Sequence, residues 1–430
     1  MNILLIGSGG REHALAQKCA ETPGTRIYAA PGNPGILTIA HAAHLGEQHL
    51  NMNHCADVIE FCQTASIDLV IIGPEAPLAA GLADDLRASN IAVFGPSRAA
   101  AQLESSKRFA KDFMLKHGIP TAQYRTFSSH EHAEAREYVA SHALPIVIKA
   151  DGLAAGKGVS IATTHREALA ALDGMFDGKF GSAGQHIVVE EFMQGEEASV
   201  FAISDGEQFL TLASAQDHKR IGDGDTGENT GGMGAYAPTP IVTPEVLRRT
   251  EERIIAPVLQ AMKQAGMPFV GCLYVGLMID AEGNPRVVEF NARFGDPETQ
   301  VILSVFDGDL VRLLHSAALG NLDRSAVRNV ANGVACCIVL AAGGYPGEVR
   351  KGDDITGIET AEQTGARIFH AGTILHNGHL QTNGGRVLGV TSRGETLADA
   401  IRASYDAVSK IHFRGKTYRT DIGKKGLVKG

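Results

Sequence analysis

A chain of 430 residues is too long for one ordinary hydrophobic core, and at about 150 residues per domain it divides into roughly three. Its net charge of −9, hydrophobic content of 44% and charged content of 20% describe a soluble globular protein and exclude one built to coat nucleic acid or an anionic membrane. Fifty residues are glycine, well above the roughly 7% of average usage, and they gather in discrete loops.

The first ten residues, MNILLIGSGG, carry no basic leader and read as a first strand rather than a targeting segment. No apolar run approaches the length of a membrane span. The six cysteines, Cys19, Cys55, Cys62, Cys272, Cys336 and Cys337, contain no C-x-x-C and suit buried free thiols in a reducing cytoplasm. From 1 to 104, the short apolar runs NILLI, RIYAA, IDLVII and IAVFG alternate with the amphipathic stretches REHALAQKCA, ADVIEFCQTAS and LADDLRAS. That alternation predicts a doubly wound parallel sheet, a Rossmann-like domain. The glycine-rich turns GSGG, PGNPG and GPEAPLAAG follow strand ends, where such sheets bind ligands.

A second domain is expected over 105–328. Its first helix stops at KHGIP, and a small α+β flap subdomain over about 122–193 holds the strands PIVIKA, GVSIAT and HIVVEEFM. A polar glycine loop, RIGDGDTGENTGGMGAY, precedes a long helix over TPEVLRRTEERIIAPVLQAMKQAG and the strand pair FVGCLYVGLMID and RVVEFNAR. The remainder, 329–430, reads as a mixed β-rich domain. Its basic end, FRGKTYRTDIGKKGLVKG, reads as a solvated tail. The fold class is thus α/β and α+β multidomain.

Four stretches could carry chemistry. GSGGREHA places glycines at a strand-to-helix turn that can present backbone N–H groups to a phosphate. It has Glu12 where the dinucleotide fingerprint needs its third glycine, which disfavours NAD. KADGLAAGKGVSIA has three residues between Gly152 and Gly156, and Gly158 follows Lys157, so it is a hairpin flap rather than a P-loop. A flap without side chains lets backbone donors close on phosphates while Lys149 supplies a point charge. VVEEFMQGEEAS ends a strand in carboxylates that could hold ribose hydroxyls.

RVVEFNARFGDPE alternates with period two, so Glu289, Asn291 and Arg293 share one face, with Val288, Phe290 and Ala292 on the other. Glu289 and Asn291 offer hard oxygen donors suited to Mg²⁺. A bare carboxylate about 4 Å from a phosphate charge is repelled by roughly 4 kcal/mol at an effective dielectric near 20. If Glu289 faces a nucleotide, a metal must stand between them, and Arg293 could clamp the transferring phosphoryl group. Asp296 before Pro297 is expected to cap the following helix, PETQVILSVF, without excluding a second role.

The order of these parts, a strand lysine, a glycine flap, an acidic strand end and Glu-x-Asn-x-Arg, resembles the ATP-grasp superfamily. GSGGREHALA, APGN, GPEAPL, KADGLAAGKGV, AQDHKR, NTGGMGAY, EFNARFGDPETQ and TNGGRVL together resemble the phosphoribosylamine–glycine ligases along essentially the whole chain. One departure is Glu228, where that family usually has proline, which bears on the rigidity of that loop.

The resemblance implies ATP-driven ligation of glycine to 5-phosphoribosylamine through glycyl phosphate, in purine biosynthesis in the cytoplasm, with Mg²⁺ or Mn²⁺. It implies the small molecules as sole partners, no nucleic acid or membrane, and is compatible with a monomer. It implies metal ligands Glu289 and Asn291, and catalytic roles for Arg293, Asp217 and Lys219. ATP would meet Lys107, Lys149, Gly152, Gly156, Lys157, Gly158, Glu190, Glu191, Phe192, Met193 and Glu197. Gly9, Gly10, Arg11, Gly73, Pro74, Glu75, Gly232 and Asp296 would receive the remaining substrates. Another ATP-grasp ligase or carboxylase with a different acceptor, or a nucleotide sensor without turnover, remains open at this point.

Overall fold

The computed structural model describes every residue except Glu47, Asn53, 153–157, 180–183 and 428–430. Near the amino terminus, five strands form one parallel sheet in the order His41–Ala42, Arg26–Pro31, Asn2–Gly7, Leu69–Ile72 and Val93–Phe94. The helices Gly10–Ala20, Cys55–Thr64 and Leu82–Ala88 occupy the stretches predicted for them. GPEAPLAAG, read from its glycines as a turn, carries a short helix, Glu75–Ala80, closed by Gly81 at φ 94°.

The flap is a four-stranded antiparallel sheet, Val159–Ala162, Ile146–Ala150, His186–Glu191 and Tyr124–Ser128. The helices His132–Ser141 and His165–Gly174 cover it, burying Phe127, Val139, Ile148, Leu172 and Ile187. A second antiparallel sheet, Phe209–Thr211, Glu196–Asp205, Val270–Ile279 and Pro285–Asn291, faces it.

Three sequence expectations change here. Strict alternation fails at Val288: Gly276 pairs with Glu289 while Leu277 pairs with Val287, so Val288 is the extra residue of a bulge. Val287, Phe290 and Ala292 are therefore the buried set, and Val288 opens toward the cavity beside Glu289. Second, Asp296 does not cap a helix. That helix is Glu298–Val305, with Pro297 before it and no side-chain cap. Asp296 instead accepts from Gln300 Nε2 at 2.9 Å and lies 3.3 Å from Arg386; a charged partner 90 residues downstream outcompetes a local cap.

Third, the basic end is not a solvated tail. The Arg419 side chain is 1% exposed, paired with Asp225 at 2.8 Å and Asp421 at 2.7 Å, and it donates to the Arg220 carbonyl at 3.1 Å. These contacts bind the chain end to a hairpin, Arg220–Gly222 and Thr226–Asn229, within the stretch read as a polar loop. The same stretch supplies the strand Gly234–Ala237. Beside Gln216–Asp217, it joins Val334–Ala341, Arg386–Gly394 and Arg367–His370 in a five-stranded antiparallel sheet. This last sheet thus takes strands from both sides of residue 329, and the helix Leu397–Lys410 packs on it.

Candidate active site

These sheets enclose a cavity of about 1040 Å³, at the upper end of the range for ligand pockets, about 300–1,000 Å³. One end is cationic. Lys149 extends from the strand Ile146–Ala150 to lie 2.9 Å from Glu190 Oε1, and Lys111 lies 3.0 Å from Glu190 Oε2. Lys107 sits one turn before Lys111 on the helix Lys107–Lys116, which Ser106 caps, and it donates to the Gly152 carbonyl at 2.8 Å. Burial lowers the Lys107 pKa against the pull of Glu289. Burial likewise holds Lys111 down to about 8 although Glu190 opposes it. The neighbouring wall is apolar, with Val147, Val159, Ile161, Met193 and Met278, and with the half-exposed ring of Phe192.

In the middle, Glu289 and Asn291 project from the same face of Pro285–Asn291 onto the cavity wall. The Lys219 ammonium lies 3.0 Å from Glu197 and 3.4 Å from Glu289. Burial disfavours the Glu289 charge, yet Lys219, Lys149 and Lys107 together hold its pKa below the ordinary carboxylate value. Burial pushes Asp217 up to about 7, helped by Glu298 and opposed by Lys219. Ser199 donates to the Tyr274 hydroxyl at 2.8 Å beside Glu298, whose own pKa burial raises.

The far end is charge-balanced. Arg293 lies 2.9 Å from Glu104 and 3.4 Å from Glu75. Burial works against the Glu75 charge, but Arg293 and Arg11 hold its pKa down. Arg386 faces Asp296 and donates to the Asp296 carbonyl at 2.7 Å and to the Gly231 carbonyl.

Seventeen expected residues meet on this wall: the lysines Lys107, Lys149 and Lys219, with Arg11, Arg293, Asn291 and Met193; the acids Glu75, Glu190, Glu191, Glu197, Asp217, Glu289 and Asp296; and Gly152, Gly158 and Phe192. Gly9, Gly10, Gly73, Pro74 and Gly232 are not on it. Gly232 backs onto Pro297, and Gly10 onto Gln300. Gly156 and Lys157 lie outside the described residues. Lys111, Glu104, Glu298 and Arg386 reach the wall unforeseen. Lys111 had a signal, since it follows Lys107 by four positions on one helix face; Arg386 lay in the quoted stretch TNGGRVL, but its place on the wall follows from long-range strand pairing.

The donors at Glu289 and Asn291 fit a hard divalent cation. The carboxylate already has an ammonium 3.4 Å away, so it faces a position that takes positive charge. Among the described residues no group of three His, Cys, Asp or Glu could hold a metal alone, so ligands from a bound substrate would have to complete the shell.

Three family models match in succession: the Phosphoribosylglycinamide synthetase N domain over 1–104, its ATP-grasp (A) domain over 105–299 and its C domain over 335–425. The phosphoribosylamine–glycine ligase of Mesorhizobium japonicum is 52% identical over 430 residues, covering 100% of this chain and 99% of that one. That of Yersinia pestis is 49% identical, covering 100% of both. The crystal structure of phosphoribosylamine–glycine ligase from Thermotoga maritima superposes with a TM-score of 0.82 at 35% identity, over 98% of this chain and 100% of that one. A biotin carboxylase from Campylobacter jejuni shares the fold, with a TM-score of 0.71 at 14% identity over 99% and 98% of the two chains. With all three models matched in order, the chain belongs to the phosphoribosylglycinamide synthetase family.

Proposed function

We propose that this chain joins glycine to 5-phosphoribosylamine, cleaving ATP to ADP and phosphate, as a step of purine biosynthesis. The observation that carries the reading is the division of one cavity into a lysine-rich end, an oxygen-donor pair at Glu289 and Asn291, and an end where arginines and carboxylates balance. Lys107, Lys111, Lys149, Gly152 and Gly158 would take the ATP phosphates. Glu191, Phe192 and Met193 would border the adenine, and Glu197 the ribose. Glu289 and Asn291 would hold Mg²⁺ or Mn²⁺, which when bound neutralises phosphate charge. Arg11, Glu75 and Asp296 would receive the phosphorylated sugar amine.

Among the described residues the wall has no serine, cysteine or histidine, which fits a route in which the substrates make both bonds. A glycine carboxylate oxygen attacks the γ-phosphorus as the bond to ADP breaks, and Arg293 faces the charge that gathers there. The ribosylamine nitrogen then attacks the glycyl carbonyl and phosphate leaves. Asp217, with its pKa near neutrality, would take the proton released by that nitrogen, while Lys219 bridges Glu289 and Glu197 and offsets their mutual repulsion. No described helix is long and apolar enough to cross a membrane, and we assign the reaction to the cytoplasm.

The test is ADP release by the purified protein, with glycine and phosphoribosylamine each withheld in turn. Release that needs both is expected. Release that ignores glycine, or that bicarbonate stimulates instead, would overturn the assignment.

A further inference from the structure

The glycine turn at the end of the first strand has an internal occupant. Glu12, the third residue of the helix Gly10–Ala20, is 2% exposed, and its carboxylate accepts the Gly9 amide at 2.6 Å. This is half of a capping box, since Gly9 has no side chain to return the bond. A helix amino terminus attracts an anion, and here that anion is the protein's own. The surrounding glycines are shaped to it: a Cβ on Gly7 would lie 2.5 Å from the Glu12 side chain, one on Gly9 2.8 Å, and one on Gly73 closer still. An external phosphate cannot share this space with the carboxylate.

The other Glu12 oxygen accepts from Arg11 Nε at 2.7 Å. Arg11 Nη1 donates to the Phe294 carbonyl at 2.8 Å, directly after Arg293 in the chain. Two of the five guanidinium N–H donors are thereby fixed, and the group stands on the cavity wall with Glu75 and Asp296.

We propose that Glu12 is a positioning residue: seated in the cradle of Gly7, Gly9 and Gly73, it aims the Arg11 guanidinium at the phosphate-bearing sugar substrate, a contact the turn's own backbone does not make. The glycines of GSGG and GPEA act on the substrate only through Glu12 and Arg11. This inference rests on the ligase reading above and deepens it, because it names the group that meets the substrate's phosphate. Arginine suits that task through its paired, planar donors.

The experiment measures ribose 5-phosphate binding by calorimetry to wild type, Glu12→Gln, Arg11→Ala and the double variant, with melting curves to verify folding. Each single variant should weaken binding by about tenfold, the scale of a lost hydrogen bond to a charged group. The double variant should be no weaker than Arg11→Ala alone, and ATP binding should stay within about twofold of wild type. Should Glu12→Gln not fold, Glu12→Asp keeps the charge but draws it back from Nε, and the same pattern is expected. Unchanged binding in the Glu12 variant, additive losses in the double variant, or no ribose 5-phosphate binding by wild type would each overturn the proposal. Failure of the ligase reading shows separately, as ADP release by wild type that ignores glycine.

Discussion

The two ends of the cavity handle charge in opposite ways. At the flap end, Lys107, Lys111 and Lys149 converge, and among the described residues Glu190 is the carboxylate ion-paired to two of them, Lys111 and Lys149. At the other, Arg293 meets Glu104 and Glu75, Arg386 meets Asp296, and Arg11 meets Glu12. Surplus cations in a largely buried place are costly unless an anion completes them, whereas matched pairs are largely complete already. The first arrangement waits for a polyanion, and the second is a rigid scaffold that orients a few polar donors. Removing Arg293, locked between two carboxylates, should therefore cost mainly stability, whereas removing Lys107 should cost mainly ligand affinity.

The largest effect is expected at the balanced end. Arg293→Met leaves Glu104, whose side chain is 7% exposed, with its charge buried and unpaired, and should lower unfolding free energy by about 3 kcal/mol. Urea denaturation reads it, and an unchanged midpoint would show that the pairing is incidental.

Next comes an acid weakness on the same side of the molecule. His13 Nδ1 accepts the His370 amide at 2.8 Å, joining the helix Gly10–Ala20 to the strand Arg367–His370. Burial, reinforced by His370, lowers the His13 pKa to about 3, and burial lowers that of His370 to about 4. Folded pKa values below the ordinary 6.5 mean that the unfolded chain binds more protons under that pH. Stability is then lost as pH falls from about 6.5 toward 4, on the order of 2 kcal/mol per histidine at pH 5. His13→Gln should flatten that slope in denaturation curves taken between pH 7 and pH 5.

The smallest change in free energy is expected at the cationic end. Lys107→Met should weaken ATP binding by about tenfold, near 1.4 kcal/mol, and leave the melting temperature nearly unchanged, because burial already lowers the charge affinity of that lysine. A large loss of stability with ATP affinity intact would reverse the contrast between the ends.

How far this layout could be read from the chain depended on how local its causes are. The parallel sheet and its helices were legible because periodicity alone separates NILLI from REHALAQKCA. Glu289, Asn291 and Arg293 were placed on one face, but the phase of Val288 was not, since a bulge is set by the partner strand at Gly276 and Leu277. Asp296 looked like a cap because Asp-Pro is a local signal, whereas its partner Arg386 arrives through strand pairing. GSGG was read as a phosphate cradle, and only the geometry shows Glu12 folded into it. The tail was dismissed from its charge, although Arg419 is buried and pairs with Asp225 in a hairpin almost 200 residues upstream. Most of these misses are pairings with distant segments that overrode a sound local rule; Glu12 is the exception, a neighbour three residues from Gly9 whose seat in the turn depends on the fold around it.

The central claim is that Glu289 and Asn291 hold a divalent cation between the sheet and the nucleotide phosphates. A crystal grown with ADP and Mn²⁺, mapped by anomalous scattering, tests it most directly. The account predicts a single Mn²⁺ peak within coordination distance of oxygens from both side chains and from the diphosphate. A diphosphate bound with the metal away from that strand face, or with Lys219 still against Glu289 in its place, would contradict it.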